Sequence, residues 1–193
     1  MSEQSPQTSS LANALFYKEE RVAIFIDGSN FYAAARSLDL YTDFSKLYDL
    51  FRESCHLVKA LYYTALFEED GITKMQPIVD YLNYNNFVVI TKEARSITRD
   101  DGSSRIKGDM DVDITVSVIR QLASVDHFIL FTGDGDFCAL VQFLQEQGKR
   151  VSIVSTIKGN QRILSDELRK QVDHFVELET LVEAIKMERR EPR

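Results

Sequence analysis

The sequence predicts an α/β protein, a three-layer α/β/α sandwich around a mainly parallel sheet of five or six strands. Short apolar segments of strand length alternate with longer segments of helical periodicity along most of the 193 residues. The strand segments are apolar without interruption, which indicates burial on both faces, as in a parallel sheet covered by helices. This order predicts right-handed crossovers and a doubly wound, Rossmann-like sheet.

The elements follow one another in regular order. The clear strand segments are rich in β-branched and aromatic residues and comprise residues 22–26, 57–63, 87–91, 127–131 and 151–154. A weaker sixth segment covers 174–178. The helical segments carry apolar residues three and four positions apart and comprise residues 31–38, 44–51, 72–84, 110–122 and 137–147. Gly148 directly after the last segment is typical of a helix end.

Length and composition predict one domain over residues 21–182, with a flexible tail at 1–20 and a helix end and tail at 183–193. The two cysteines make neither a disulfide framework nor a thiolate metal site. No apolar run is long enough to span a bilayer, and no signal peptide is apparent, so we expect a cytoplasmic protein without a membrane partner. The net charge of −7 argues against a protein that coats nucleic acid through bulk charge.

Acidic residues follow two of the predicted strands. Asp27 ends the first strand segment, and Asp134 and Asp136 follow the segment at 127–131. In doubly wound sheets, ligands bind outside the carboxyl ends of the strands, so these three side chains are expected on the binding edge. For any one of them, capping of the following helix is the competing interpretation. For Asp136, capping of its own helix is almost as good an explanation as a place in the binding site.

A third acidic group opens the helical segment at 110–122. Helical spacing places Asp111 on the face that turns toward the sheet, whereas Asp113 lies on a polar stripe facing water. Asp109 precedes the helix and is its expected N-cap. We therefore expect Asp111 to join the acidic site.

Clustered carboxylates without histidine or cysteine favour a hard divalent ion, Mg²⁺ or Mn²⁺. One or two such ions held by a few carboxylates suit phosphodiester hydrolysis. Asp27 is then expected to anchor the main ion with Asp134 and Asp111, and Asp136 to bind a second ion or orient water. An EF-hand is excluded because its glycine is missing, and no glycine-rich dinucleotide motif follows the first strand.

A basic segment precedes Asp111 and runs against the acidic charge of the chain. It carries the candidate phosphate contacts Lys92, Arg95, Arg99, Arg105 and Lys107. Asp101-Gly102 at its middle predicts a hairpin above the binding edge. A solvated loop is an equally supported interpretation.

Other candidate substrate contacts lie outside this basic segment. Lys158 and Arg162 follow the fifth strand and are further phosphate candidates. Phe31 and Tyr32 are expected to pack the first helix on the sheet, with base stacking as the alternative.

Three motifs in this order resemble the NYN nucleases, a branch of the PIN-like superfamily, and within them the bacterial LabA-like group. They are Phe25-Ile26-Asp27-Gly28-Ser29-Asn30, Lys107-Gly108 leading into Met110-Asp111-Val112, and Thr132-Gly133-Asp134-Gly135-Asp136-Phe137. Residues 168–178 also resemble the closing strand of that group, so the resemblance covers about residues 21–182. Thr132 stands where the group often has serine, which keeps the hydroxyl.

The resemblance implies a PIN-like fold and a Mg²⁺- or Mn²⁺-dependent ribonuclease acting on RNA, with single-stranded RNA as the expected substrate. Its acidic set would be Asp27, Asp111, Asp134 and Asp136, with Asn30 as a supporting polar residue. Ser29 and Thr132 of the same motifs are candidate substrate contacts.

Two other functions stay open on the sequence alone. One is a non-catalytic regulator that binds RNA or protein on the same fold. The other is a small-molecule phosphohydrolase. The apolar face at 178–187 is compatible with pairing of two chains in a homodimer and equally with packing on the sheet.

Overall fold

A computed structural model describes residues 15–66, 68–69, 72–73, 75–98, 104–107, 109–159 and 162–188, with only the backbone at 68–69, 72–73, 95–98 and 104–107. A six-stranded parallel sheet runs through the molecule. Its strands are β1 (Arg21–Asp27), β2 (His56–Leu66), β5 (Val88–Glu93), β8 (His127–Phe131), β9 (Arg150–Ser155) and β10 (His174–Glu177). They lie side by side in the order β10-β9-β8-β1-β2-β5. The predicted α/β class, the six strand segments and their parallel arrangement are confirmed.

Helices cover both faces of this sheet. They are α1 (Gly28–Ser37), α2 (Phe44–Ser54), α3 (Gln76–Tyr84), α4 (Asp111–Ile119), α5 (Cys138–Glu146), α6 (Asp166–Gln171) and α7 (Val182–Ile185). Short 3-10 turns at Gly135–Phe137 and Leu178–Leu181 precede α5 and α7. Two antiparallel hairpins, β3–β4 (Glu68–Glu69 and Ile72–Thr73) and β6–β7 (Arg95–Thr98 and Ser104–Lys107), complete the described elements.

The central strand β1 explains the two-sided core. Its side chains point alternately to opposite faces, so Ile24 and Ile26 enter one apolar cluster while Ala23 and Phe25 enter the other. The first cluster lies under α1, α2, α3 and α7, and the second under α4, α5 and α6. Apolar residues are therefore needed at every position from 22 to 26, which is the uninterrupted pattern in the sequence.

The predicted helix at 72–84 begins too early. Ile72–Thr73 pairs with Glu68–Glu69 in an antiparallel hairpin, and α3 begins only at Gln76, with Pro77 in its first turn. Proline is favoured there because the N–H groups of the first turn have no acceptor within the helix, so the N–H that proline lacks is not needed. The apolar spacing before Gln76 therefore imitated helical periodicity.

Two further differences concern the C-terminal third. The helix α6, capped by Ser165, was missed because it has only six residues. The apolar face at 178–187 packs on the protein itself, since Leu178, Leu181 and Ile185 are buried in the first cluster. These three side chains are thus unavailable for pairing with a second chain.

The N-terminal residues 15–20 contact the edge of the sheet where the strands begin. Arg150 pairs with Glu20, donates to the Leu15 carbonyl at 3.0 Å and lies over the ring of Tyr17. His127 starts β8 at this same edge and is buried. Among the described residues, no helix is long and apolar enough to cross a membrane.

Candidate active site

The carboxyl ends of β1 and β8 bring two acidic loops together. The two strands are neighbours, with Ile26 opposite Phe131, so Asp27 and the loop from Thr132 onward leave the sheet at the same edge. Gly28 permits a tight exit from β1, because a Cβ at that position would lie 2.6 Å from the carbonyl oxygen of Tyr63. Larger residues at position 28 would push α1 away from the sheet.

Asp27 is buried and caps α1 with one of its two oxygens. Oδ1 accepts hydrogen bonds from the Ser29 hydroxyl at 2.8 Å, the Ser29 backbone N–H at 3.1 Å and the Asn30 backbone N–H at 3.2 Å. Oδ2 accepts none of the hydrogen bonds found among the described residues. Burial raises the pKa of Asp27, the bonds from Ser29 and Asn30 oppose this, and the nearby charge of Asp134 adds to it. Ser29 therefore contacts Asp27 directly.

The loop after β8 is fixed by hydrogen bonds on several sides. Asp134 Oδ1 accepts from the Asp136 N–H at 3.0 Å, and Thr132 Oγ1 accepts from the Asp134 N–H at 3.2 Å. Asn30 Oδ1 accepts from the Gly133 N–H at 2.8 Å, which ties α1 to this loop. Thr132 is buried. Its hydroxyl helps to position Asp134, and its expected role as a substrate contact stays a prediction.

The third acidic element is the first turn of α4. The helix begins at Asp111 with Met110 as its N-cap residue, so the expectation that Asp109 is the N-cap is wrong by one residue. Asp109 still accepts a hydrogen bond from the Asp111 N–H at 3.0 Å. Asp113 points elsewhere, since it pairs with Lys92 at 2.9 Å.

Asp111, Asp134 and Asp136, the acidic trio, converge at the edge of the sheet. One oxygen from each lies within 4.8 Å of one from each of the others. The pKa of Asp111 is raised to about 7, first by burial and then by its contact with Asp109 and the charges of Asp27 and Asp134. Asp27 is not part of the trio, but its charge helps to raise the pKa of Asp111, and the charge of Asp134 helps to raise the pKa of Asp27.

The donor chemistry of the site fits a hard divalent cation. The acidic trio offers only carboxylate oxygens, the ligands that Mg²⁺ and Mn²⁺ prefer. Oxygens bound to one ion at about 2.1 Å lie at most about 4 Å apart, so three oxygens within 4.8 Å of one another need to move little to hold one ion. Burial is the main cause of the raised pKa values of Asp27 and Asp111, and the neighbouring carboxylates add negative charge that a cation would neutralise.

The basic candidates lie in different environments. Lys92, Lys158 and Arg162 each pair with a carboxylate, with Asp113, Glu179 and Asp166 respectively. The predicted hairpin is confirmed as the antiparallel pair β6–β7, and residues 99–103 between its strands lie outside the described residues. The side chains of Arg95, Arg105 and Lys107 in its strands, and all of Arg99, lie outside the described residues.

With this geometry in place, the relatives of the chain are informative. The sequence profile of the NYN domain family matches residues 21–179. The chain belongs to the NYN domain family. It is 27% identical over 181 residues to the low amplitude and bright protein LabA of Synechococcus elongatus, which covers 91% of this chain and 94% of LabA. The structure is similar to a protein of unknown function from Vibrio parahaemolyticus, with a TM-score of 0.65, 29% identity and coverage of 83% of this chain and 95% of that one.

In this NYN domain, two features of the site escaped the sequence pattern. Phe31 is buried as expected, but Tyr32 is 65% exposed on α1 and does not pack on the sheet. The segment 162–166 forms a wall beside Asp134. Ser165 followed by two acidic residues is a typical helix start and was the available signal for this wall.

Proposed function

We propose that this NYN domain is a metal-dependent ribonuclease that hydrolyses phosphodiester bonds of single-stranded RNA. The observation that carries the proposal is the convergence of the acidic trio beside the buried Asp27. Membership of the NYN family supports a nuclease-type or RNA-related role, and the trio supports the metal dependence.

In this proposal the carboxylates of Asp111, Asp134 and Asp136 would hold Mg²⁺ or Mn²⁺, with Asp27 as a supporting carboxylate. When bound, such an ion would supply Lewis acidity for activating a water and would neutralise charge on the attacked phosphate. The Ser29 hydroxyl holds the Asp27 carboxylate, and Asn30 and Thr132 hold the backbone of the loop that carries Asp134. Rigid placement matters because the reaction gains from positioning the groups before the substrate arrives.

The overall reaction would be an in-line hydrolysis. A water oxygen forms a bond to phosphorus, the bond from phosphorus to the 3′ oxygen breaks, and that oxygen takes up a proton. The products are a 5′-phosphate and a 3′-hydroxyl. RNA strands approaching this acidic edge would need local positive charge, for which the β6–β7 hairpin and Arg162 are the candidates.

The decisive experiment compares the RNA cleavage rates of three variants, each with one aspartate replaced by asparagine. Purified wild type, Asp134→Asn, Asp111→Asn and Asp113→Asn are incubated with labelled single-stranded RNA and Mn²⁺. We expect the changes at Asp134 and Asp111 to lower the rate at least about 100-fold. Asp113→Asn is the matched control, because it lies two positions from Asp111 on the same helix but outside the trio.

Three outcomes separate the proposal from its rivals. Equal RNA degradation by wild type and Asp134→Asn would sink the ribonuclease function. RNA binding without any cleavage would support a non-catalytic regulator. Turnover of mononucleotides with no action on RNA would support a small-molecule phosphohydrolase instead.

A further inference from the structure

A pocket of about 470 Å³ adjoins the acidic trio on one side. Asn30 on α1, the loop at 133–135 and the segment at 162–166 line it. Asp134 therefore belongs both to the trio and to the wall of the pocket. Pockets of this size accept ligands as large as a nucleotide.

The walls of the pocket are held firmly against each other. The Ser165 N–H donates to the Gly133 carbonyl at 2.8 Å, and Ser165 Oγ accepts from the Leu168 N–H at 3.1 Å. A Cβ at Gly133 would lie 2.5 Å from the Ile163 carbonyl oxygen, so the two walls touch through their backbones. Leu164 is buried in the second apolar cluster and anchors the segment. A pocket with fixed walls needs little reorganisation to bind a ligand.

Arg162 supplies the positive charge of this pocket. Its side chain is 63% exposed and pairs with Asp166, whose side chain is 57% exposed. Exposed pairs of this kind contribute little to stability, so the guanidinium can exchange the carboxylate for a phosphate. A phosphate accepts two parallel hydrogen bonds from a guanidinium, which also fixes its orientation.

We propose that this pocket binds the nucleotide next to the scissile phosphodiester, and that Arg162 contacts the phosphate of that nucleotide. This inference rests on the proposed ribonuclease function. Its basis is the shared residue Asp134, which places the pocket directly beside the reacting bond. Asp166 lines the same pocket and opposes the bound phosphate by its charge. Arg162 is thus a substrate-positioning residue, and Asp166 moderates its affinity.

The test measures binding and kinetics separately. Binding of a short fluorescein-labelled single-stranded RNA is followed by fluorescence anisotropy with Ca²⁺ in place of Mn²⁺. We expect Arg162→Ala to raise Kd and KM about tenfold while kcat changes little, because one charge-assisted contact is lost. Arg162→Lys should restore part of the affinity. Asp166→Asn should bind RNA more tightly than wild type, an increase that a merely structural role of the pair does not predict.

Arg52→Ala is the matched control. Arg52 is also an exposed arginine that pairs with a nearby carboxylate, that of Asp49, but it does not line the pocket. We expect its Kd to change by less than about twofold. If Arg162→Ala and Arg52→Ala weaken binding equally, or if Asp166→Asn also weakens it, the pocket is not the nucleotide site.

The same measurements separate this inference from the proposed function. If wild type cleaves RNA and Arg162→Ala has the same Kd and KM, only the proposal for the pocket is overturned. If wild type binds RNA through Arg162 but does not cleave it, the proposed ribonuclease function is overturned and the proposal for the pocket is supported. Wild type that neither binds nor cleaves RNA overturns both.

Discussion

Removing the charge of Asp111 should make the metal-free protein more stable at neutral pH. The pKa of Asp111 is raised from 3.8 to about 7 by burial, by Asp109 and by the charges of Asp27 and Asp134. A carboxyl group whose pKa is higher in the folded state favours unfolding once the pH rises above its value in the unfolded chain. The penalty is therefore absent near pH 3, grows from about pH 4 and is nearly complete at pH 7.

The size of this penalty follows from the same pKa values. A rise of about 3 pH units corresponds to about 4 kcal/mol at most, because each unit is about 1.36 kcal/mol. Asp111 is only half-buried, so solvent screens part of the repulsion, and we expect about 1–2 kcal/mol for Asp111→Asn at pH 7. The gain should shrink toward zero at pH 4.

The assay is urea unfolding in EDTA at pH 7 and pH 4, with Asp113→Asn as the control. Asp113 pairs with Lys92 on the solvent side of α4, so its replacement should leave stability unchanged or lower it by up to about 1 kcal/mol. A variant Asp111→Asn that is no more stable than wild type at pH 7 would refute the electrostatic reasoning. The same holds if Asp113→Asn stabilises as strongly.

Three further predictions test the site and the opposite edge of the sheet. Mn²⁺ at a hundredfold excess over its Kd should stabilise wild type by about 2.7 kcal/mol, which corresponds to a rise in Tm of roughly 5–10 °C. Asp134→Asn should show no such rise. Equal shifts of the two proteins in a thermal melt would contradict the metal site. Asn30→Ala should lower the free energy of unfolding by about 1–2 kcal/mol, because the Gly133 N–H loses its acceptor. Chemical denaturation checks this, with Tyr32→Ala at an exposed position of the same helix as the control. His127 is buried and bonded to Ser152 at 2.7 Å, and burial lowers its pKa to about 3. Since the unfolded chain binds the proton at a higher pH than the folded protein does, the free energy of unfolding should fall by about 1.4 kcal/mol per pH unit below about pH 6. If the free energy of unfolding of His127→Gln falls as steeply with pH as that of wild type, His127 does not contribute.

The sheet could be predicted from the sequence because each of its central strands is buried on both faces. Residues 22–26 are apolar at every position, and both alternating sets of side chains enter a core. The start of α3 could not be predicted in the same way, since Ile72 fits a helical spacing and a hairpin equally well. Only the pairing of Ile72–Thr73 with Glu68–Glu69 decides between them, and pairing between short segments leaves no periodic signal.

The acidic site was predictable in its members and less so in their arrangement. Helical spacing separates Asp111 from Asp113, because residues two apart on a helix face different directions. The sequence placed Asp136 below Asp27, because helix capping explains Asp136 almost as well, whereas in the structure Asp136 joins the trio and Asp27 does not. That ranking depends on the direction of each side chain after its strand ends. The pairing of Arg162 with Asp166 was equally hidden, since the start of α6 was not known from the pattern.

Helix capping and metal binding, which compete as explanations of each aspartate in the sequence, are compatible in the structure. Asp27 accepts its three hydrogen bonds through Oδ1 alone, and Asp134 accepts from the Asp136 N–H through Oδ1. A carboxylate has two oxygens and about four acceptor directions, so a cap occupies only part of its capacity. The capping bonds also fix the side-chain rotamer, which leaves the second oxygen in a defined position. An aspartate that caps a helix at the carboxyl edge of a parallel sheet is therefore better prepared to bind a cation than one that is unrestrained.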